Sequence, residues 1–149
     1  MMKKIFQKRV FALYLSLAFF AGGAPAQGSE VEGRWLNVDA KTGTWLFVAE
    51  CYRVDGHLHI RVVELPESAG VQSCQNCPEP FKGRALEGMD IVWGLRKSAD
   101  GWDRGKIIDP ESGKIYDCAV WLDKGGALNV RGYLKMKLFG KTQRWERPK

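Results

Sequence analysis

Residues 45–64 read WLFVAECYRVDGHLHIRVVE, and this stretch decides the fold. Trp45, Phe47, Ala49 and Cys51 share one parity, with Thr44, Val48 and Glu50 on the other. Successive side chains of a strand point to opposite faces, so a period of two marks a strand with one apolar face. Asp55-Gly56 is the dipeptide that most strongly signals a tight hairpin turn. Beyond it Leu58, Ile60 and Val62 alternate with His57, His59 and Arg61. The segment is therefore two antiparallel strands with a shared apolar side.

The same unit recurs in both directions. Upstream, Arg34-Trp35-Leu36 opens a strand after Gly33. Downstream, after a long connection, Ile91, Trp93 and Leu95 alternate with Asp90, Gly94 and Arg96, and Asp100-Gly101 turns the chain. Residues 102–109 form a further strand, and Pro110-Glu111-Ser112-Gly113 is a turn in which Pro fixes one φ and Gly supplies a positive one. Residues 115–122 are apolar on both faces, Lys124-Gly125-Gly126 turns again, and Leu128, Val130, Gly132, Leu134 and Met136 alternate with Asn129, Arg131, Tyr133, Lys135 and Lys137. Gly140-Lys141 leads into a last strand ending near Arg147. About eight strands joined mainly by tight turns predict an all-β chain, with at most one short helix around 81–87. Sequential turns favour a single antiparallel up-and-down meander, and closing it into a barrel removes its unpaired edges. Eight strands also make the barrel size that can enclose one small ligand. Gly33-x-Trp35 at the first strand, with Arg144 and Arg147 at the last, looks like the closure of lipocalin-like (calycin-type) barrels, where an indole plugs one end and a guanidinium stacks on it.

The chain of 149 residues allows one domain with a real core, and 45% apolar with 27% charged residues excludes global disorder. Its net charge of +6 is concentrated at the start. Lys3, Lys4, Lys8 and Arg9 precede an apolar run at 10–20, and Ala24-Pro25-Ala26 offers the small residues of a cleavage site. This is the three-part pattern of a secretory signal peptide over 1–26, shorter in its apolar part than the roughly 20 residues of a membrane span. Its removal takes 23 basic residues to 19 against 17 acidic ones, a remainder of +2. That leaves no clustered basic excess for nucleic acid. The expected product is a periplasmic or secreted domain over 27–149, with no transmembrane segment after cleavage.

Export makes disulfides the default reading for the four cysteines, Cys51, Cys74, Cys77 and Cys118. Their pairing is open, because four cysteines allow three connectivities. Cys74-Gln75-Asn76-Cys77 lies in the long connection and suits a local disulfide; the rival is a thiol-disulfide centre, which needs a low-pKa thiolate. Cys51 and Cys118 lie within strands, as a bridge or as buried thiols. His57 and His59 share a strand face and with Cys74 and Cys77 have the ligand types of a zinc site, but they oppose Leu58, Ile60 and Val62 and belong to the solvent side if those residues point inward. Asp109 and Glu111 flank Pro110 in a turn, where hydrogen bonding to turn backbone is the common use of an acid. Neither a nucleophile elbow nor a phosphate-binding glycine loop is present. No catalytic residue, metal or cofactor is assigned. Arg131, Tyr133, Lys135 and Lys137 form a solvated basic face or a patch for an anionic partner, with Tyr133 alternatively covering a barrel mouth.

Residues 105–116, GKIIDPESGKIY, followed by Val130-Arg131-Gly132-Tyr133 and by 140–145, GKTQRW, resemble the ordered blocks of domain of unknown function 2147, a group of small secreted bacterial proteins. The resemblance spans roughly Gly33 to Arg147. It implies a lipocalin-like barrel in the bacterial envelope or outside the cell and no established activity. Some members carry a second Cys shortly after the position of Cys51, where this chain has His57-Leu58-His59. The expected function is non-catalytic binding of a small apolar ligand inside the barrel, lined by Trp45, Phe47, Trp93, Trp121 and Tyr133. The alternatives are an envelope structural or interaction protein with a packed barrel, and a thiol-disulfide protein using Cys74 and Cys77. Protein partners are not indicated.

Overall fold

The structure, a computed structural model, describes residues 30–149; the signal-peptide assignment lies outside the described residues. Eight strands follow in order: β1 (Gly33–Val38), β2 (Trp45–Val54), β3 (His57–Glu64), β4 (Asp90–Ser98), β5 (Gly101–Ile108), β6 (Ile115–Leu122), β7 (Leu128–Tyr133) and β8 (Gly140–Trp145). Each pairs antiparallel with the next, so spatial order equals chain order. The 81–87 segment forms turns and an isolated bridge, not a helix. Gly83, at a φ of 73°, interrupts it, and its backbone bonds go to the Cys74 region instead: Gly83 N donates to Cys74 O at 2.9 Å and Cys74 N to Arg84 O at 2.8 Å.

Asp55-Gly56 closes β2 onto β3 with Val54 opposite His57. Leu58, Ile60 and Val62 are buried and the intervening His57, His59 and Arg61 are not, as the alternation requires. With Trp35, Ala49, Cys51, Val92, Leu95, Cys118, Val120, Leu128, Val130 and Trp145 they fill the interior. The barrel is nearly closed. β1 and β8 meet at one bridge, where Leu36 N donates to Glu146 O at 2.7 Å and Glu146 N returns a bond to Leu36 O at 3.0 Å. Asn37 Nδ2 adds a bond to Gln143 Oε1 at 3.1 Å.

One end is plugged. Trp35 is buried, its Nε1 donates to Val31 O at 2.8 Å, and the Arg147 guanidinium lies 3.8 Å from its ring centroid. Arg147 also donates to Arg34 O at 3.2 Å and Glu30 O at 2.9 Å. Gly33 explains the Gly-x-Trp spacing: a Cβ there would stand 2.8 Å from an Arg147 nitrogen, so only glycine lets the guanidinium cross β1 to reach the indole. Arg144 does not take this place. It binds Asp123 at 3.0 Å and Glu146 instead, on the outside of β8.

Among the register shifts of the barrel, those in β2 and β4 decide where the tryptophans point. Asn37 pairs with Phe47 but Val38 with Trp45, so β2 carries one extra residue and Trp45 leaves the inward parity of Phe47. Leu58 pairs with Leu95, Ile60 with Val92 and Arg61 with Asp90, so β4 carries two extra residues, one at Ile91 and one beside Gly94, whose φ of 70° is that of a bulge glycine. Val92 and Leu95 therefore both point inward and Trp93 points out.

Candidate functional site

The interior is filled toward the plugged end and empty toward the other. There a cavity of about 370 Å³ opens between the starts of β2, β4, β6 and β8 and the ends of β3, β5 and β7. Its floor is Trp145 and Val130; its wall includes Phe47, Val62, Ile91, Ile107 and Tyr116; Tyr133, Leu134, Phe139 and Lys141 stand at the mouth. Phe47 meets Trp145 edge to face, with centroids 5.3 Å apart. Such a pair stabilises beyond its buried area by about 0.5–1.5 kcal/mol, which fixes the floor. Gln143 Oε1 accepts from both Trp145 Nε1 and Asn37 Nδ2 at 3.1 Å, so the buried polar groups of the floor are satisfied.

The long connection from Leu65 to Met89 forms the remaining side. Cys74 and Cys77 are joined in a disulfide, both buried. With the backbone bonds to Arg84 and Gly83 it folds the connection back, so that Leu86 reaches the cavity wall and Phe81 stacks on Trp93 at 5.0 Å between centroids. Asn76 Nδ2 donates to Glu111 O at 3.0 Å and ties this loop to the β5–β6 turn. In that turn Asp109 accepts from the backbone N of Glu111 and from Ser112 Oγ, so its carboxylate serves the turn.

Of the residues singled out in the sequence as ligand contacts, the structure brings Phe47 and Tyr133 to the cavity. Trp45, Trp93 and Trp121 are elsewhere. Trp45 is displaced outward by the β2 bulge and Trp93 by the β4 bulges, where it packs under Phe81. Trp121 alternates with the buried Val120 and sits on the opposite face of β6. Burial raises the Tyr133 phenol above its ordinary pKa, so it is a neutral hydroxyl at the mouth. Reading by alternation missed Tyr116, Leu65, Leu86, Phe139 and Trp145. Leu65, Leu86 and Phe139 stand in connections and Tyr116 and Trp145 near strand ends, where period two stops; Trp145 shares parity with the exposed Lys141 and Gln143, so the pattern of β8 gave no sign that it faces inward.

Cys51 and Cys118 are free, buried thiols inside the barrel. Desolvation pushes the Cys51 thiol far up and that of Cys118 up to about 12. They are not bonded to each other and act as small apolar groups. The zinc arrangement fails because Cys74 and Cys77 have bonded to each other, and among the described residues no cluster of three metal-ligating side chains occurs. His59 belongs instead to an outer-wall cluster that sequence reading missed: Tyr52 Oη donates to Asp90 at 2.7 Å, Arg61 Nε binds Asp90 at 3.0 Å, and Arg61 stacks over the Tyr52 ring at 4.9 Å. This cluster links β2, β3 and β4 across their outer face, away from the cavity. Among the described residues no helix is long and apolar enough to cross a membrane.

A plugged, nearly closed eight-stranded meander with an apolar cavity at its other end defines a lipocalin-like barrel. The family described as "Uncharacterized protein conserved in bacteria (DUF2147)" matches residues 33–147, and the chain belongs to it. A solved structure, titled as protein HP1028 from the human pathogen Helicobacter pylori belonging to the lipocalin family, is similar at 19% identity and a TM-score of 0.68, covering 81% of this chain and 84% of that one. That likeness establishes the fold alone. No curated protein matches the chain.

Proposed function

We propose that the chain is exported after removal of residues 1–26, to the periplasm or beyond, and holds a small, largely apolar molecule in the barrel without chemistry. The observation that carries this reading is the cavity: about 370 Å³, open at one end and walled by Phe47, Val62, Ile91, Ile107 and Trp145. At about 30 Å³ per water-sized group it has room for roughly a dozen, and it falls within the range of ligand pockets. Each 100 Å² of apolar ligand surface removed from water contributes about 2.5 kcal/mol before the cost of association. The Cys74–Cys77 disulfide supports an oxidising compartment. Its burial also weighs against a thiol-exchange role, which needs an accessible low-pKa sulfur. An unfilled interior weighs against a purely structural packed barrel.

The test is fluorescence titration with the neutral apolar dye phenylnaphthylamine. The wild-type chain brightens the dye saturably, at one molecule per chain. Val130→Phe grows a ring into the cavity, abolishes the brightening and keeps the β-sheet circular dichroism. Equal dye binding by both proteins, or none by the wild type, contradicts the reading.

A further inference from the structure

The apolar side chains left outside the barrel are not scattered. Among the described residues the exposed large hydrophobics are Trp45, Leu46, Val54, Ile115, Leu134, Met136, Leu138 and Phe139. Only Val54, beside the β2–β3 turn, lies at the plugged end. The others stand at the starts of β2 and β6 and in the β7–β8 connection, all at the end where the cavity opens. Scattered single hydrophobics need no explanation, but a contiguous rim of them marks an interaction surface.

The β7–β8 connection, residues 134–139, is the centre of the rim. Leu134 is 59% exposed, Met136 57%, Leu138 74% and Phe139 66%. The connection is nonetheless pinned. Arg131 Nε donates to Lys137 O at 2.7 Å, another Arg131 nitrogen to Leu138 O at 3.2 Å and a third to Thr142 Oγ1 at 2.7 Å. Phe139 N donates to Met136 O at 3.0 Å and Leu134 N to Phe139 O at 3.2 Å. These bonds fix the backbone of the connection while its apolar side chains stay exposed. The segment 134–141, LKMKLFGK, interleaves them with Lys135, Lys137 and Lys141 and contains no acid. Lys137 pairs with Asp103 at 3.0 Å; among the described residues Lys135 and Lys141 have no carboxylate within 4 Å. Acids also stand at this end: Asp39 in β1–β2, Glu67, Glu79 and Glu87 in β3–β4, and Asp109 and Glu111 in β5–β6, while Glu64, Asp90 and Asp117 at the strand ends are paired with Arg34, Arg61 and Lys106. Leu134, Phe139 and Lys141 also line the cavity mouth, so rim and cavity are continuous.

We infer that the β7–β8 connection, with Trp45 and Leu46 at the same end of the barrel, docks it mouth-first on the surface of an anionic lipid bilayer. Apolar side chains next to unpaired lysines match a lipid interface, where the tails enter the acyl boundary and the ammonium groups meet phosphate. A second copy of this chain would bring the same lysines face to face, which the charge disfavours. The inference goes beyond ligand binding and stands without it.

Flotation with vesicles tests it. The wild-type chain, residues 27–149, floats with vesicles of equimolar phosphatidylglycerol and phosphatidylethanolamine at low salt, and stays behind with pure phosphatidylcholine. Salt at about 0.5 M releases much of it, because a Debye length of about 4 Å screens the attraction between the lysines and the anionic surface. The double variant Met136→Ser/Leu138→Ser changes exposed residues outside the cavity, so its melting and dye binding stay at wild-type level while vesicle partitioning falls on the order of tenfold or more. Lys135→Gln lowers partitioning about fivefold. Absence of flotation, equal flotation on neutral vesicles, unchanged partitioning of the double variant, or sedimentation showing a dimer dissociated by that variant would each overturn the inference. Loss of dye binding by the wild type with flotation intact would count against the cavity reading and leave this one standing.

Discussion

Replacing Arg147 with Ala opens the plugged end of the barrel. The guanidinium sits 3.8 Å from the Trp35 centroid and donates to Arg34 O and Glu30 O. A cation over a buried indole contributes about 1 kcal/mol or somewhat more, and a charge-assisted hydrogen bond about 1.5–3 kcal/mol when shielded from water. Arg147 is exposed on its outer side, so both bonds are shared with solvent and the sum discounts to about 2–3 kcal/mol. For a domain of this size about 4 °C of Tm accompanies each kcal/mol, giving a fall of about 8–12 °C. Arg147→Lys keeps the charge but not the fork and falls between. Arg144→Ala, which removes only exposed ion pairs to Asp123 and Glu146, costs about 1 kcal/mol or less. Gly33→Ala strains a φ of 99° and pushes Arg147 off the indole, so its cost and that of Arg147→Ala add to less than their sum in the double variant. Urea unfolding followed by tryptophan fluorescence measures all five. A loss below about 0.5 kcal/mol for Arg147→Ala, or a larger loss for Arg144→Ala, refutes the assignment of closure to Arg147.

Three other outcomes follow from the same geometry. The double variant Cys74→Ser/Cys77→Ser is less stable by about 2 kcal/mol, because the disulfide closes a short loop, and it binds phenylnaphthylamine more weakly as Leu86 loosens; calorimetric melting and dye titration check the two effects. Cys51 and Cys118 stay unreactive toward a thiol-specific reagent at pH 8 in the folded chain, since burial disfavours both thiolates, and both react in denaturant; mass spectrometry counts the labels. The Asp123 carboxyl, held by the backbone N–H of Ala127, by Arg144 and by Asn129, titrates below its ordinary 3.8 in an NMR titration. A depressed carboxylate favours folding above its unfolded pKa, so this contribution is complete above about pH 5 and fades as the pH falls through the folded value.

The fold was legible because alternation and turn chemistry agree along most of the chain. Leu58, Ile60 and Val62 with Asp55-Gly56 state a hairpin and its buried face in one short segment. Gly33-x-Trp35 states where the barrel is plugged. The site was legible only in part. One extra residue in β2 and two in β4 reversed the faces of Trp45 and Trp93, and nothing in an alternating pattern marks where a bulge falls except Gly94 in hindsight. Trp121 lay in a strand apolar on both faces, so parity there did not distinguish core from exterior. Leu65, Leu86 and Phe139 reach the cavity from connections whose path depends on the Cys74–Cys77 disulfide and on Arg131. Lys135 and Lys137 were read as one side of a continuing strand, whereas β7 ends at Tyr133 and the chain turns outward there.

The central claim is that the open end of the barrel carries an apolar molecule. Native mass spectrometry of the protein, isolated from the bacterium that makes it and never denatured, tests this most directly. The expected spectrum shows a mass above that of the bare polypeptide with one disulfide, and the excess leaves as one small apolar molecule on collisional activation. A spectrum at the bare polypeptide mass, from protein that also fails to brighten phenylnaphthylamine, contradicts it.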